Sequence, residues 1–187
     1  MKTITFLAFL IVFACSANTL QSQARRDEIG KILDLQEVKN ELRKAKKVVF
    51  RNTDSARMVL NQRQPLIGGF DDQTMALYHN TYGLFYWFVK DYDASIASFH
   101  QTLKLPMSDS LTEYRAEALN NAGTLYSKIG QQDSAINLLT QALKIDEDRK
   151  NEIGMAKIHY DLGLAHQRKG HYELALRNML KSLDLNE

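Results

Sequence analysis

The segment Ala116–Glu147, AEALNNAGTLYSKIGQQDSAINLLTQALKIDE, contains the pattern that decides the fold. In its first half, Leu119, Ala122 and Tyr126 recur at steps of three and four residues. This spacing places the three side chains on one face of a helix. The first half therefore predicts an amphipathic helix that packs against a second element.

The second half predicts a turn and a second helix. Gly130 follows the last apolar position of the first half and is expected to form a left-handed C-cap. Asp133 or Ser134 is expected to cap the next helix. Ala135 and Ala142 are small, which favours two helices that cross at short distance. The segment is therefore interpreted as a helical hairpin.

The hairpin recurs along the chain at a fixed interval. Gly83, Gly123 and Gly163 are separated by steps of 40 residues, and similar residues surround each of them. A glycine inside a helix costs about 1 kcal/mol relative to alanine, so each glycine predicts close approach of another backbone. Self-similarity at such a period is typical of a solenoid.

The pattern resembles the tetratricopeptide repeat, with a glycine in the first helix, an aromatic residue three positions later, a turn, and two alanine-containing pairs. In the central unit these positions are Gly123, Tyr126, Gly130, Ala135, Ile136, Ala142 and Leu143. The usual period of that family is 34 residues, and the longer step is assigned to longer first helices. Ser110 and Glu113 form a capping-box pattern, which predicts that the central unit begins near Leu111.

The resemblance implies an all-α fold, a right-handed α-α superhelix of about three and a half to four helical hairpins. The repeat units are expected at residues 74–107, 111–147 and 151–187. Residues 25–63 are interpreted as a degenerate N-terminal hairpin that caps the solenoid. The composition, with 44% hydrophobic and 25% charged residues, is that of an ordinary globular protein.

Residues 1–24 have the features of a secretory signal peptide. Lys2 is their only charge, and the apolar run Thr5–Ala14 is shorter than the about 20 residues that span a bilayer. Small residues follow the run and offer a cleavage site. The chain is therefore predicted to be exported to the periplasm or the outer membrane, or secreted, and it resembles exported bacterial proteins of the family.

Cys15 is the only cysteine and follows the apolar run directly. Its surroundings resemble a bacterial lipoprotein cleavage motif, in which case the leader is residues 1–14 and lipid anchors the chain. The alternative is a cysteine that is removed with the signal peptide. Contact with a membrane is expected only through such an anchor.

The charge is unevenly distributed. Residues 25–63 contain 11 basic and 6 acidic side chains. The basic run Arg43–Arg51 is interpreted as a solvated helix face because Glu37 and Glu41 share that face, and the alternative is contact with phosphate or anionic lipid. Nucleic acid is not expected as a partner of an exported chain.

The segment 74–89 is dense in aromatic residues, among them Trp87. These side chains are interpreted either as a patch that anchors a peptide or as packing beneath the N-terminal hairpin. By resemblance to the family, a partner-binding groove is expected to be lined by Leu77, Asn80, Leu84, Trp87, Asn120, Thr124, Lys157, Tyr160 and Leu164.

These patterns predict a non-enzymatic scaffold for protein–protein interaction in the bacterial cell envelope. The partner is expected to be a protein or peptide, docked as an extended or helical segment. The alternative is a sensory input module of a two-component-type signalling system. No catalytic motif occurs, and no cofactor is expected. His159 and His166 are seven residues apart, too far to share a metal without a third ligand, so no metal is expected.

The last predicted helix carries an apolar stripe without a predicted neighbour. A terminal repeat usually ends in a polar capping helix, which is not found here. The sequence therefore also predicts self-association through this stripe. Its members are Leu176, Met179, Leu180 and Leu183.

Overall fold

The computed structural model describes residues 35–63 and 70–187, and no β-strand occurs in these two ranges. The helices are α1 (35–48), α2 (Thr53–Arg63), α3 (Asp72–Phe88), α4 (Tyr92–Lys104), α5 (Thr112–Lys128), α6 (Gln132–Asp148), α7 (Glu152–Arg168) and α8 (Tyr172–Asp184). A 3-10 turn, Asp109–Leu111, precedes α5. The predicted class, an all-α solenoid of helical repeats, is confirmed.

The chain divides into two compact units, Met1–Asn40 and Glu41–Glu187. Of the first unit, the structure describes residues 35–40, which are helical. The predicted signal peptide, 1–24, and Cys15 lie outside the described residues. Within the part that is described, no helix combines the length and the apolar character that crossing a bilayer requires.

In the second unit, consecutive helices pack against each other in pairs, α3 with α4, α5 with α6 and α7 with α8. Each second helix also packs against the first helix of the next pair. One core cluster shows how α5, α6 and α7 share their apolar faces, and its buried members are Leu119, Ala135, Leu139, Ala142, Ile158, Leu162 and Ala165. Burial of these stripes is the main favourable contribution to the stacking.

Each of the three repeated glycines leaves space for a side chain of its partner helix. The pairs are Gly83–Phe99, Gly123–Leu139 and Gly163–Met179. A Cβ atom on Gly123 would lie 2.8 Å from Leu139 Cγ and 3.3 Å from the Ala135 carbonyl oxygen. The glycines therefore admit a large side chain first and a neighbouring backbone second, whereas the sequence predicted the backbone alone.

Each turn between the two helices of a pair contains a residue with a left-handed backbone conformation. Gly130 and Gly170 have φ angles of +88° and +84°. Lys90 takes the corresponding place after α3 with φ +64°. The predicted glycine C-cap is confirmed at Gly130, and the first pair achieves the same turn with a side chain that this region disfavours.

Two of the predicted N-caps are wrong. No side chain caps the start of α5 or of α6. Ser110 Oγ lies 3.1 Å from Ser108 Oγ instead, because the 3-10 turn already leads the chain into α5. Asp133 lies inside the first turn of α6 and pairs with Lys169. By contrast, Asp71 Oδ1 accepts from the Thr74 amide at 2.7 Å and caps α3.

The apolar stripe of α8 is exposed. Leu176 is 60% exposed, whereas Ile96, its counterpart on α4, is 9% exposed. Leu180 and Leu183 are also exposed, and Met179 is half-buried. Self-association through this face stays a prediction.

Candidate partner-binding groove

A cavity of about 690 Å³ opens between the first helices of the stacked pairs. This groove is lined by residues of α1, of the turn after it, and of α3, α5 and α7. They are Arg43, Lys46, Lys47, Phe50, Leu77, Leu84, Trp87, Phe88, Glu113, Glu117, Asn121 and Lys157. Its volume falls in the range of known ligand pockets.

The floor of the groove is apolar. Leu77 and Leu84 are buried and lie two helical turns apart on α3. Trp87 follows on the same helix and is half-buried. Phe88 stands edge-on to Phe50, with ring centroids 4.7 Å apart. Helical spacing brings α3 residues to the same face, and the Phe50 ring extends that surface from the neighbouring chain segment.

The rim of the groove carries four cations and two carboxylates. Lys46 Nζ lies 2.5 Å from Glu117 Oε1, so this pair is largely neutral. Glu113 faces Arg149, with Nη2 at 3.5 Å. No carboxylate of the residues that the structure describes lies within 4 Å of the Lys47 or Lys157 ammonium. The groove therefore offers positive charge to a partner.

A polar network joins α5 to α7 beside the groove. The Thr124 hydroxyl lies 2.8 Å from the Asn120 carbonyl oxygen and 3.0 Å from Asp161 Oδ2. The Asn120 amide is oriented so that its nitrogen donates to Asp161 Oδ2 at 3.2 Å and its oxygen accepts from Lys157 Nζ at 3.1 Å. Burial raises the pKa of Asp161, while the Thr124 hydrogen bond and the charges of Lys157 and Arg168 oppose this rise.

Four of the nine predicted groove residues line the cavity, namely Leu77, Leu84, Trp87 and Lys157. Asn120 and Thr124 belong to the polar network beside it. Tyr160 is 52% exposed and Leu164 is half-buried, and neither contributes to the lining. The groove is thus centred nearer to the N-terminal end of the repeats than the resemblance implied.

Asn80 has a place in the interior rather than on the groove surface. Its Nδ2 donates to the Tyr114 carbonyl oxygen at 2.9 Å, and its Oδ1 accepts from Thr102 Oγ1 at 2.7 Å. The side chain is fully buried. Asn80 therefore ties α3 to α4 and α5, and its amide is already satisfied inside the fold.

The α1 residues of the groove were missed as site residues. The basic run Arg43–Arg51 was interpreted as a solvated face, yet Arg43, Lys46 and Lys47 line the cavity. The signal was present in the excess of basic residues over residues 25–63. It could not be assigned to the groove because no local pattern tells which face of α1 meets α3 and α5.

The aromatic residues of α3 divide between both predicted roles. Tyr78, Tyr82 and Tyr86 form a chain of ring contacts, with centroids 4.9 and 5.4 Å apart. Tyr82 donates to Asn61 Oδ1 of α2 at 3.1 Å. Burial raises the pKa of Tyr78 above its ordinary value. Tyr82 thus connects this chain of rings to α2, whereas Trp87 and Phe88 line the groove.

The titratable groups outside the groove do not assemble into a metal centre in the described ranges, where no cluster of three potential ligands is found. His166 and His171 stack with centroids 5.8 Å apart, and burial lowers the pKa of His166. His159 Nδ1 lies 2.9 Å from Asn178 Oδ1. His159 therefore has an ordinary structural contact, whereas His166 Nδ1 is buried without a hydrogen-bond partner in the described part of the chain.

Stacked helix pairs with a cavity along their first helices define a helical-repeat protein. Two family models described as Tetratricopeptide repeat match residues 73–148 and 156–187, which is more than half of the chain. The chain therefore belongs to the tetratricopeptide-repeat family, whose repeats generally mediate protein–protein interaction. A search of curated proteins found no match.

Proposed function

We propose that this protein is a non-enzymatic interaction module that binds an acidic peptide segment with a large apolar anchor in the groove. The observation that carries the proposal is the combination of an apolar floor with a cationic rim in one cavity of about 690 Å³. Such a cavity recognises an amphipathic, negatively charged segment.

The floor supports the apolar part of the proposal. Trp87 is half-buried, so part of its ring is available to a partner, and tryptophan is among the residues that dominate binding energy at interfaces. Phe88 and Phe50 extend the surface beside it. A leucine, phenylalanine or tryptophan of the partner would bury its side chain here and gain about 1.5–3 kcal/mol.

The rim supports the acidic part of the proposal. The carboxylates of Glu117 and Glu113 already face Lys46 and Arg149. Lys47 and Lys157 keep their charge available to carboxylates of a partner, as far as the described residues show. Exposed charge pairs of this kind contribute modestly to affinity and strongly to association rate, so binding should weaken as salt is raised.

We further propose that the chain works in the bacterial cell envelope. The support is the N-terminal pattern of residues 1–24, which predicts export, with Cys15 as the candidate lipid attachment site. Fractionation of cells that express the full chain should recover it outside the cytoplasm. Loss of membrane association in Cys15→Ser would favour lipidation, and an unprocessed cytoplasmic chain would contradict export.

The binding proposal is tested with a phage-displayed peptide library. Peptides selected on the wild-type protein should carry a large apolar residue flanked by aspartate or glutamate. Trp87→Ala should weaken their binding at least about 10-fold, because a central aromatic anchor contributes 2 kcal/mol or more.

Ile153→Ala is the matched control, since Ile153 is 83% exposed on α7 and does not line the groove. Its binding should equal that of the wild type. Selection of neutral or basic peptides, or equal binding by Trp87→Ala and Ile153→Ala, would overturn the proposal.

A further inference from the structure

We propose that Asp161 is a positioning residue, which holds the Lys157 ammonium at the groove through the side-chain amide of Asn120. The inference rests on the proposed function, because it concerns how one cation of the groove is presented. It assigns a role to a buried carboxylate that is not itself one of the residues lining the groove.

The Asn120 amide connects the two charged groups in one orientation only. Its nitrogen lies 3.2 Å from Asp161 Oδ2, and its oxygen lies 3.1 Å from Lys157 Nζ. The reverse orientation would place an NH₂ group against the ammonium and a carbonyl oxygen against the carboxylate. Both of those contacts are repulsive, so the carboxylate of Asp161 fixes the direction in which Asn120 presents its acceptor.

Lys157 depends on that acceptor. Its second amide neighbour, Asn121 Oδ1, lies 3.5 Å away, at the outer limit of a hydrogen bond. The lysine side chain is long, exposed and rich in rotamers, so ordering it costs conformational entropy. Without the Asn120 oxygen, the ammonium would sample positions away from the groove.

Asp161 is placed at a cost to the fold. It is 8% exposed, and its neighbours from the two packed helices are Thr124 and Asn120 on α5 and Lys157 and Arg168 on α7. Arg168 donates to Ser127 Oγ at 2.6 Å and is thus engaged elsewhere. Asp161 is hydrogen-bonded, yet no ion pair within 4 Å is found for it among the described residues, and a buried carboxylate in that state is unfavourable for folding, which favours a role other than stability.

The first experiment needs no ligand and compares three variants. In Asp161→Asn, the side chain at 161 no longer carries the negative charge that holds the Asn120 amide nitrogen. The Asn120 amide group can then rotate, and Lys157 loses its hydrogen-bond acceptor. Thr124→Val is the control. It removes the hydroxyl group that hydrogen-bonds Asp161 and leaves the orientation of the Asn120 amide unchanged. In Asp161→Asn with Asn120→Asp, the carboxylate at 120 accepts from both residue 161 and Lys157.

Nuclear relaxation of the ¹⁵N-labelled Lys157 ammonium is the readout. Lys157 should be ordered in the wild type, mobile in Asp161→Asn, ordered in Thr124→Val and ordered again in the double variant. The free energy of unfolding of Asp161→Asn should equal or exceed that of the wild type, because a buried charge is removed. Equal order of Lys157 in Asp161→Asn and the wild type would overturn the inference, as would equal loss of order in Thr124→Val.

The second experiment measures binding of a synthetic fluorescein-labelled peptide, Glu-Glu-Leu-Trp-Glu-Glu. Asp161→Asn and Lys157→Ala should each weaken binding about fivefold at low salt, the size of one exposed ion pair. The two substitutions together should weaken it no further, since Asp161 acts through Lys157. Additive losses would overturn the inference. If the peptide binds neither the wild type nor any variant, the proposed function fails, and the relaxation experiment still decides the role of Asp161.

Discussion

In the first helix pair, α3–α4, and in the third, α7–α8, a glycine of the first helix leaves a slot for a side chain of the second helix. Different side chains fill this slot in the two pairs. Gly83 faces the rigid ring of Phe99, which is fully buried, and Gly163 faces the flexible chain of Met179, which is half-buried. The Gly83 carbonyl oxygen also accepts from Ser95 Oγ at 2.6 Å. One template thus holds a fully buried side chain opposite the glycine in the first pair and a half-buried one in the third.

The pair with the fully buried residue opposite its glycine is also the one that carries the groove floor. Leu84 and Trp87 lie on α3, one and four residues after Gly83, which faces the Phe99 ring. In the third pair, α7 contributes only Lys157 to the groove, and α8 has an exposed apolar stripe. The fully buried contact therefore lies in the pair that carries the apolar part of the candidate site, where a preformed surface lowers the entropy cost of binding.

The largest expected difference between the pairs concerns the side chains in the slots. Phe99→Ala should lower the free energy of unfolding by about 4 kcal/mol, because it leaves a cavity in a fully buried site. Met179→Ala should lower it by about 1–2 kcal/mol, because solvent and flexible neighbours fill the space. Urea denaturation followed by far-ultraviolet circular dichroism measures both values. Equal losses would contradict the distinction between the fully buried Phe99 and the half-buried Met179.

A smaller difference is expected at the glycines themselves. In a helix, alanine gains about 1 kcal/mol over glycine. At Gly83 a Cβ atom would lie 2.6 Å from Phe99 Cζ, and displacing a buried ring costs about 2–3 kcal/mol, so Gly83→Ala should be destabilising overall.

At Gly163 the Cβ atom would meet Met179 Cγ at 2.7 Å and the Ala175 carbonyl oxygen at 3.2 Å. The methionine can change rotamer, so Gly163→Ala should change the free energy of unfolding by less than about 1 kcal/mol. The same denaturation experiment compares the two alanines. A larger loss at Gly163 than at Gly83 would show that the backbone contact, and not the side chain, limits the slot.

The smallest effect on stability is expected on the exposed stripe of α8. Leu176→Glu with Leu180→Glu should change the free energy of unfolding by less than about 0.5 kcal/mol, because both side chains are more than half exposed. Sedimentation velocity should show concentration-dependent self-association of the wild type and its loss in this variant. Ile153→Glu, at an exposed site elsewhere, is the control. A wild type that sediments as a monomer at every concentration would contradict self-association.

The repeats were predictable from the sequence because their signals are local. Helical spacing and the turn at Gly130 depend on neighbours within a few residues, and the 40-residue step of the glycines repeats this local pattern along the chain. The N-caps of α5 and α6 were not predictable, since serine and aspartate at suitable spacing are also consistent with the 3-10 entry and with the Lys169 pair that the structure contains.

The candidate site was only partly predictable for a related reason. Trp87 and Lys157 were identified from their repeat positions, which the family resemblance aligns. Asn80 has the same kind of repeat position, but the packing of α3 against α4 and α5 buries it. Repeat position indicates which face of a helix a residue occupies, and it does not indicate how deeply the neighbouring helices cover that face.

By itself, the sequence of this protein determined that it consists of paired helices, where their turns lie and which stripe of each helix is apolar. Only the tertiary structure decided that α1 cations meet the α3 aromatic residues in one groove, as in the contact of Lys46 with Glu117, 71 positions later. It also decided that Asp161 reaches Lys157 through Asn120. The physical reason is that backbone and solvent preferences act within a few turns, whereas the meeting of distant side chains depends on how all the helices stack.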